Sequence, residues 1–497
     1  MKKSISNNIN TIIFWAFFTI IIGCYGFIYA VFPFSNDDWW FLSAIQEFGL
    51  PGAIKFHFNF DNTRIATLFG TILLMEPRWI SKTIFIFSFI FAIVIMLKLC
   101  NIKSNQWKSL STLSFFIWIA PMWEDAMFSH FFAFNYIVPL PLLFGMIYLF
   151  QHPDKLPLWI GVLFGVLLGT WHESYTIVYV VGCILNLIVN PELRDKKRVI
   201  LTTSVIIGGL WFTLFPVIYT RVSKISFDNL RYKGPFLLYN WIYLIYLLIW
   251  LFCYFKIDRT ISKKPIQLFA LSSGILVFIA IYTATSRANM PGIFICCCAI
   301  TVLLKQIFQN SNINLKLILS LFLGIFTCSS MISASAETLF IKKMSDTIAE
   351  RFLKAEPQQK YAFGMIRYPW KASVLALRRP DPFIYLYGHR NWIWLYNYTN
   401  NNIMIVPEEL QDYSAGKGVR ISDNPDVRLW KGHIVSSNVN DTAYHHCHID
   451  YGQRTEYTEI HRIIFNSNDG KPYVYMLPKR STISTYLGDP QAIELKL

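Results

Sequence analysis

Between Thr11 and Ala336 apolar runs recur at short intervals, and beyond Ala336 they stop. A run of roughly 20 mostly apolar residues crosses a bilayer as a helix, since only helices and closed barrels satisfy their own backbone in lipid. The first two thirds of the chain therefore read as a polytopic α-helical membrane protein. Composition agrees, with 54% hydrophobic and only 15% charged among 497 residues, where soluble domains carry about a quarter charged. An entirely soluble cytosolic fold is excluded. Residues 336–497 read as a separate soluble domain, long enough to bury a core of its own.

Eleven spans are expected, at 11–33, 83–98, 109–122, 135–151, 157–170, 175–190, 199–219, 236–255, 265–284, 291–308 and 315–335. The first lacks a small-residue cleavage site and reads as a retained anchor rather than a signal peptide. The 11-residue run 65–75, closed by Glu76-Pro77-Arg78, is short for a span and reads as an interfacial or re-entrant piece. The run 157–189 is too long for one crossing and reads as a hairpin with Trp171-His172-Glu173-Ser174 at its apex.

The formal charge of +15 raises the question of nucleic acid. Residues 336–497 hold 20 Lys+Arg against 17 Asp+Glu, which is +3, so the tail offers no basic face for a polyanion. The other +12 belongs to the membrane half, where it reports orientation. With the N-terminus inside, sixteen Lys and Arg fall on inner segments and nine on outer ones, the arrangement that the positive-inside rule favours. An odd span count then places 336–497 outside the cytoplasm. Eight of nine cysteines lie in or beside apolar spans, leaving Cys447 alone in the tail. One thiol cannot staple an exported domain, which must hold together by packing.

The first outer loop carries the chemistry that stands out. In Ser35-Asn36-Asp37-Asp38-Trp39-Trp40, Ser35 or Asn36 can cap a helix from Asp37 to about Phe48, stopped by Gly49 and Pro51. Trp40, Phe41, Ala44, Ile45 and Phe48 form one stripe suited to the membrane interface. Both aspartates fall in the first turn, where the helix dipole favours their ionised form. The bland alternative is that they only cap the helix.

The other outer acids gather at span ends: Asp61, Glu76, Glu124, Asp125 and Glu173 stand near His57, Arg64, Arg78, His130 and His172. Polar groups at the bilayer edge are costly unless paired or wet, so these groups, with Tyr136, are expected to line one outward-opening cavity. Arg64 and Arg287 keep their charge and can fork a phosphate, though an interfacial arginine with its stem along lipid needs no such role. For His172 and Glu173 the alternative is a structural hydrogen-bonded pair.

In the tail, 338–355 reads as an amphipathic helix leaving the membrane, and 402–406, 462–465 and 473–476 as short strands. His445-His446-Cys447-His448 resembles a metal cluster, but strand alternation splits it between two faces and no second ligand group has zinc-like spacing. No nucleotide fingerprint is present, so an activated substrate is expected to arrive through the membrane.

Taken together, the single N-terminal span, the Ser35-Asn36-Asp37-Asp38-Trp39 loop, the downstream Arg64, many spans and the C-terminal domain resemble the GT-C superfamily of membrane glycosyltransferases. The layout is most similar to bacterial O-antigen serotype-converting glucosyltransferases and their relatives. Phe134-Asn135-Tyr136-Ile137-Val138-Pro139 and His172-Glu173 add less diagnostic likeness. The resemblance implies a GT-C-like membrane domain over 1–335, with a catalytic first outer loop 34–64, and an extracytoplasmic α+β domain over 336–497. It implies a multi-pass protein of the bacterial cytoplasmic membrane that moves a sugar from a polyprenyl-phosphate donor to a glycan or glycolipid acceptor, as in O-antigen modification of lipopolysaccharide. Asp37 or Asp38 would be the general base, and Arg64, Arg287 and His172 the cations at the donor phosphate. Some members use a divalent metal, Mg or Mn, and others none, so no cofactor is fixed. The rivals are a transporter or flippase, which usually shows repeats that are absent here, a glycan polymerase or ligase of another fold, and a noncatalytic assembly protein.

Overall fold

A computed structural model describes residues 2–33, 37–60, 63–75, 78–103, 109–113, 130–215, 219, 241–257, 259–276, 289–307, 313–354, 361–364, 404–440, 444–450, 455–478 and 492–496. They belong to two compact units, one of 1–30 with 48–335 and one of 31–47 with 336–497.

The first unit is helical. Its longest elements include α1 (Lys2–Val31), α2 (Asp37–Phe60, shared with the other unit), α3 (Ile65–Met75) and α4 (Arg78–Leu99). Then come α5 (His130–Tyr136), α6 (Leu140–Gln151), α7 (Leu158–Trp171), α8 (Glu173–Val189) and α9 (Lys196–Gly209). Last are α10 (Trp241–Lys256), α11 (Pro265–Ser272), α12 (Met290–Ile307) and α13 (Ile313–Lys354, whose part from 336 belongs to the other unit).

Six described stretches are long and apolar enough to cross a membrane: Asn8–Val31, Arg78–Leu99, His130–Gln151, Lys196–Leu214, Met290–Ile307 and Leu317–Ala336. That is fewer than the eleven expected. Four more of the expected spans are shorter apolar helices, Leu158–Trp171, Glu173–Val189, Ile242–Lys256 and Pro265–Leu276. For the span expected at 109–122, only 109–113 lie among the described residues, and these are helical. Large apolar side chains such as Trp79, Leu214, Leu248, Phe255 and Phe322 point outward, a surface that suits lipid rather than water.

Several boundaries differ from expectation for identifiable reasons. The helix from Asp37 breaks at Gly49, whose φ of 68° only glycine adopts easily, but resumes to Phe60. Pro51 lies in the first turn after the break, where its missing N–H costs nothing, so it starts a segment instead of stopping one. The amphipathic piece expected at 338–355 continues the preceding span as the 42-residue α13. Between α7 and α8 the chain breaks at one residue, His172, which is extended.

Close packing of α7 on α9 comes from a glycine stripe that the sequence reading did not single out. Gly161, Gly165 and Gly169 recur every fourth residue, as at membrane helix interfaces where small residues let backbones approach. A Cβ on Gly169 would stand 2.3 Å from the Val205 carbonyl oxygen and 2.8 Å from the Gly208 Cα. Neither backbone atom can step aside cheaply. Gly169→Ala is therefore expected to destabilise the helical unit by about 1–3 kcal/mol, measured as a lower thermal midpoint of the purified protein. Gly145→Ala, where an added Cβ meets nothing within 4 Å, is the control and should change little.

Elsewhere, side-chain donors join helices through backbone carbonyls. Tyr246 Oη donates to Gln267 O at 2.7 Å, and Gln267 Nε2 to Ala299 O at 3.0 Å. Asn190 Nδ2 reaches Lys263 O at 3.0 Å. Such bonds have few competitors in a low-dielectric interior. Tyr25 stacks on Phe89 with ring centroids 3.9 Å apart, fixing α1 against α4.

In the second unit β1 (Tyr361–Gly364) pairs in parallel with β2 (Met404–Pro407). The strands β3 (Val419–Arg420), β4 (Val427–Trp430), β5 (His433–Ser436), β6 (His446–Asp450), β7 (Thr455–Asn466), β8 (Pro472–Pro478) and β9 (Ala492–Lys496) form one sheet. Its order is β3-β4-β5-β8-β7-β6-β9, every pairing being antiparallel. Strand alternation supplies two apolar faces: Val474, Met476 and Cys447 join one cluster, and Tyr473, Tyr475 and Phe465 another. Packing rather than a disulfide holds this sheet, since Cys447 is a free, buried thiol. At the β7–β8 turn Asp469 accepts from Ser467 Oγ and Tyr473 Oη, both at 2.5 Å, and from Lys471 N at 3.0 Å. These donors, Ser467 foremost, hold its carboxyl down at about 2.

Candidate functional site

The paired aspartates open α2. Asp38 has no exposed surface at all, and Phe41, Ala44 and Ile45 are buried with it. Positions 38, 41 and 45 follow helical spacing, so the carboxylate belongs to the buried stripe of its own helix. A capping residue on a wet loop would be exposed; Asp38 is not. Of the expected interfacial stripe, Phe41, Ala44 and Ile45 are covered, while Phe48 is 45% exposed. The side chain of Asp37 lies outside the described residues, as do Asp61, Glu76, Glu124, Asp125 and Arg287.

Within the helical unit a second group assembles around the His172 break. Arg64 sits just before α3, its carbonyl accepting the Thr67 N–H at 3.0 Å. Its Nε donates to Glu173 Oε2 at 2.8 Å and its Nη2 to Oε1, a two-pronged fork between residues 109 apart in sequence. The side chains are 17% and 32% exposed. A forked guanidinium–carboxylate pair is the strong, directional form of ion pair, and it keeps both partners charged. Nearby, Trp211 Nε1 donates to Thr63 O at 2.7 Å and fixes the chain entering Arg64.

His172 forms the break itself. Its Nδ1 accepts the Ser174 backbone N–H at 3.2 Å and lies 2.9 Å from Ser174 Oγ. A backbone N–H can only donate, so Nδ1 is the acceptor in this bond. Nδ1 also approaches Glu173 Oε2 at 3.5 Å. His172 caps α8 in place of the usual Ser or Asp. Within this group Arg64 is the cation that forks Glu173.

Tyr136 and His130 sit on the short α5. The Tyr136 ring centroid is 5.1 Å from that of His172, and its carbonyl accepts from Tyr175 Oη at 2.6 Å. His130 Nε2 donates to Gly70 O at 3.0 Å, joining α5 to α3. His57 is fully buried on the second half of α2. Of the residues expected to share a cavity, the structure brings Arg64, Glu173, His172 and Tyr136 into one cluster, while His130 binds α3. Trp171, which precedes His172 at the break, ties α7 to α5 and α3: its Nε1 donates to Phe134 O at 2.7 Å and its ring stacks on Phe69. Among the described residues no three His, Cys, Asp or Glu side chains converge to hold a metal ion. Compared with models of protein families and with curated proteins, the chain matches none.

Proposed function

We propose that the chain is a GT-C-like glycosyltransferase of about eleven spans, which transfers a sugar from a polyprenyl-phosphate donor to a glycan or glycolipid acceptor outside the cytoplasm. The acceptor hydroxyl attacks the anomeric carbon, the sugar–phosphate bond breaks, the proton passes to Asp38, and polyprenyl phosphate leaves. The observation that carries this reading is the burial of Asp38. A carboxylate removed from water yet placed in the first turn of a helix has the setting of a general base rather than a surface cap. Proton transfer to Asp38 follows most of the bond breaking to phosphate. The fork on Glu173 favours inversion of the anomeric centre: both its oxygens are engaged by Arg64, which leaves a poor nucleophile for a covalent glycosyl intermediate. Arg64 and Arg287 are the proposed cations near the departing phosphate.

The reading is tested by comparing the surface polysaccharide of cells with and without the protein, and by supplying purified protein with polyprenyl-phosphate sugars. One sugar substituent should disappear with the protein and be restored in vitro. Identical polysaccharides, together with no consumption of any such donor, would overturn it.

Orientation has its own test. Because Cys447 is buried, a membrane-impermeant thiol reagent should not reach it. An introduced cysteine at the exposed turn position Lys471 should react in intact spheroplasts. Reaction of Lys471→Cys only after lysis would put the sheet unit inside the cell.

A further inference from the structure

At the opposite end of α7 from His172, a cavity of about 640 Å³ opens between the turn after α6 and the start of α9. That volume lies within the usual range of small-molecule sites. It is lined by Asp154, Lys155, Asp195, Lys196, Lys197 and Arg198 among others. Both carboxylates are already answered. Lys197 pairs with Asp154, and Arg198 pairs with Asp195 while its Nε and Nη2 hold Phe150 O and Gln151 O at 2.6 and 3.2 Å. Asp195 also accepts the Arg198 backbone N–H at 3.1 Å, capping α9. Lys155 and Lys196 are left over. Both are exposed, and among the described residues neither ammonium group has a hydrogen bond or ion pair. Four cations against two neutralised carboxylates give the cavity a surplus of two positive charges.

Exposed apolar residues stand close to the charged ones in sequence: Leu156 follows Lys155, Val199 follows Arg198 and Trp159 lies one helical turn beyond Lys155, and they are 40%, 47% and 65% exposed. A soluble anion would need only the lysines. A ligand with a negative head and hydrocarbon tails would use both features, the phosphate on the ammonium groups and the chains along Trp159 and Val199.

We propose that this cavity binds the phosphodiester headgroup of an anionic phospholipid, held between Lys155 and Lys196. The proposal is independent of the glycosyl-transfer reading, since it uses none of the residues assigned there.

Full-length protein in nonionic detergent is titrated with phosphatidylglycerol or phosphatidylcholine, and the bound lipid is counted by native mass spectrometry. Phosphatidylglycerol should bind in preference to phosphatidylcholine. The Lys155→Gln/Lys196→Gln variant should bind it at least about tenfold more weakly, and Lys155→Arg/Lys196→Arg should retain binding. Lys256→Gln/Lys264→Gln, which removes two cations away from the cavity, should leave it unchanged. Equal binding of the two lipids by the wild type would overturn the proposal, and so would full retention by the glutamine variant. Displacement of the lipid by millimolar inorganic phosphate would reassign the cavity to free anions and overturn it equally. If the glutamine variant does not fold, the wild-type lipid preference and the phosphate competition decide alone.

Discussion

Asp38→Asn is expected to remove glycan transfer, lowering turnover by about 10²- to 10⁴-fold, while the protein inserts, purifies and melts as the wild type does. The substitution separates two roles that burial alone does not. Asparagine is as good an N-terminal helix cap as aspartate, and it keeps the same shape against Phe41 and Ile45. A capping or packing role for Asp38 therefore predicts little change in activity. A proton acceptor cannot be replaced this way, because the amide does not take up the hydroxyl proton. Asp37→Asn gives the comparison, and the pair of single variants shows which carboxylate acts. Near-wild-type transfer by the Asp37→Asn/Asp38→Asn variant would remove the proposed base altogether.

What the sequence made legible is what local physics decides. Apolar runs mark helices because a backbone in lipid must satisfy its own hydrogen bonds. The break at His172 follows from a run too long for one crossing, and the tail strands from alternation between turn residues, as for Tyr473 and Tyr475 against Val474 and Met476. Cys447 and the histidines beside it fall on opposite faces as the alternation requires: Cys447 is in the core, and His446 and His448 lie against the ring of Tyr457 at 4.9 Å each. The illegible part is long-range. Nothing local in Arg64 or Glu173 announces that residues 109 positions apart form one fork. Nor does the spacing in Gly161-x-x-x-Gly165-x-x-x-Gly169 name its partner helix. Nor does an imidazole beside a carboxylate show in the sequence that its Nδ1 accepts the Ser174 backbone N–H.

The Arg64–Glu173 fork supplies the second large expected effect. Glu173→Gln leaves a guanidinium that is only 17% exposed without its counter-charge, and loss of a hydrogen bond to a charged partner costs about 2–3 kcal/mol. Arg64→Gln should cost a similar amount, and Arg64→Lys should not restore it, because an ammonium group cannot make the two parallel bonds of the fork. The Arg64→Gln/Glu173→Gln variant should lose much less than the two single losses combined, since the same fork is lost in each single variant. Thermal unfolding of the four proteins yields the coupling, and additive losses would show that the two side chains do not depend on one another. Kinetics then separate a scaffold from a substrate contact. If Arg64 also meets the donor phosphate, Arg64→Gln should lower kcat/KM for the lipid-linked sugar well beyond Glu173→Gln, although both variants are destabilised alike. Equal kinetic losses would confine the fork to holding α3 against α8, and the phosphate would have to find its cation elsewhere, with Arg287 the next residue to substitute.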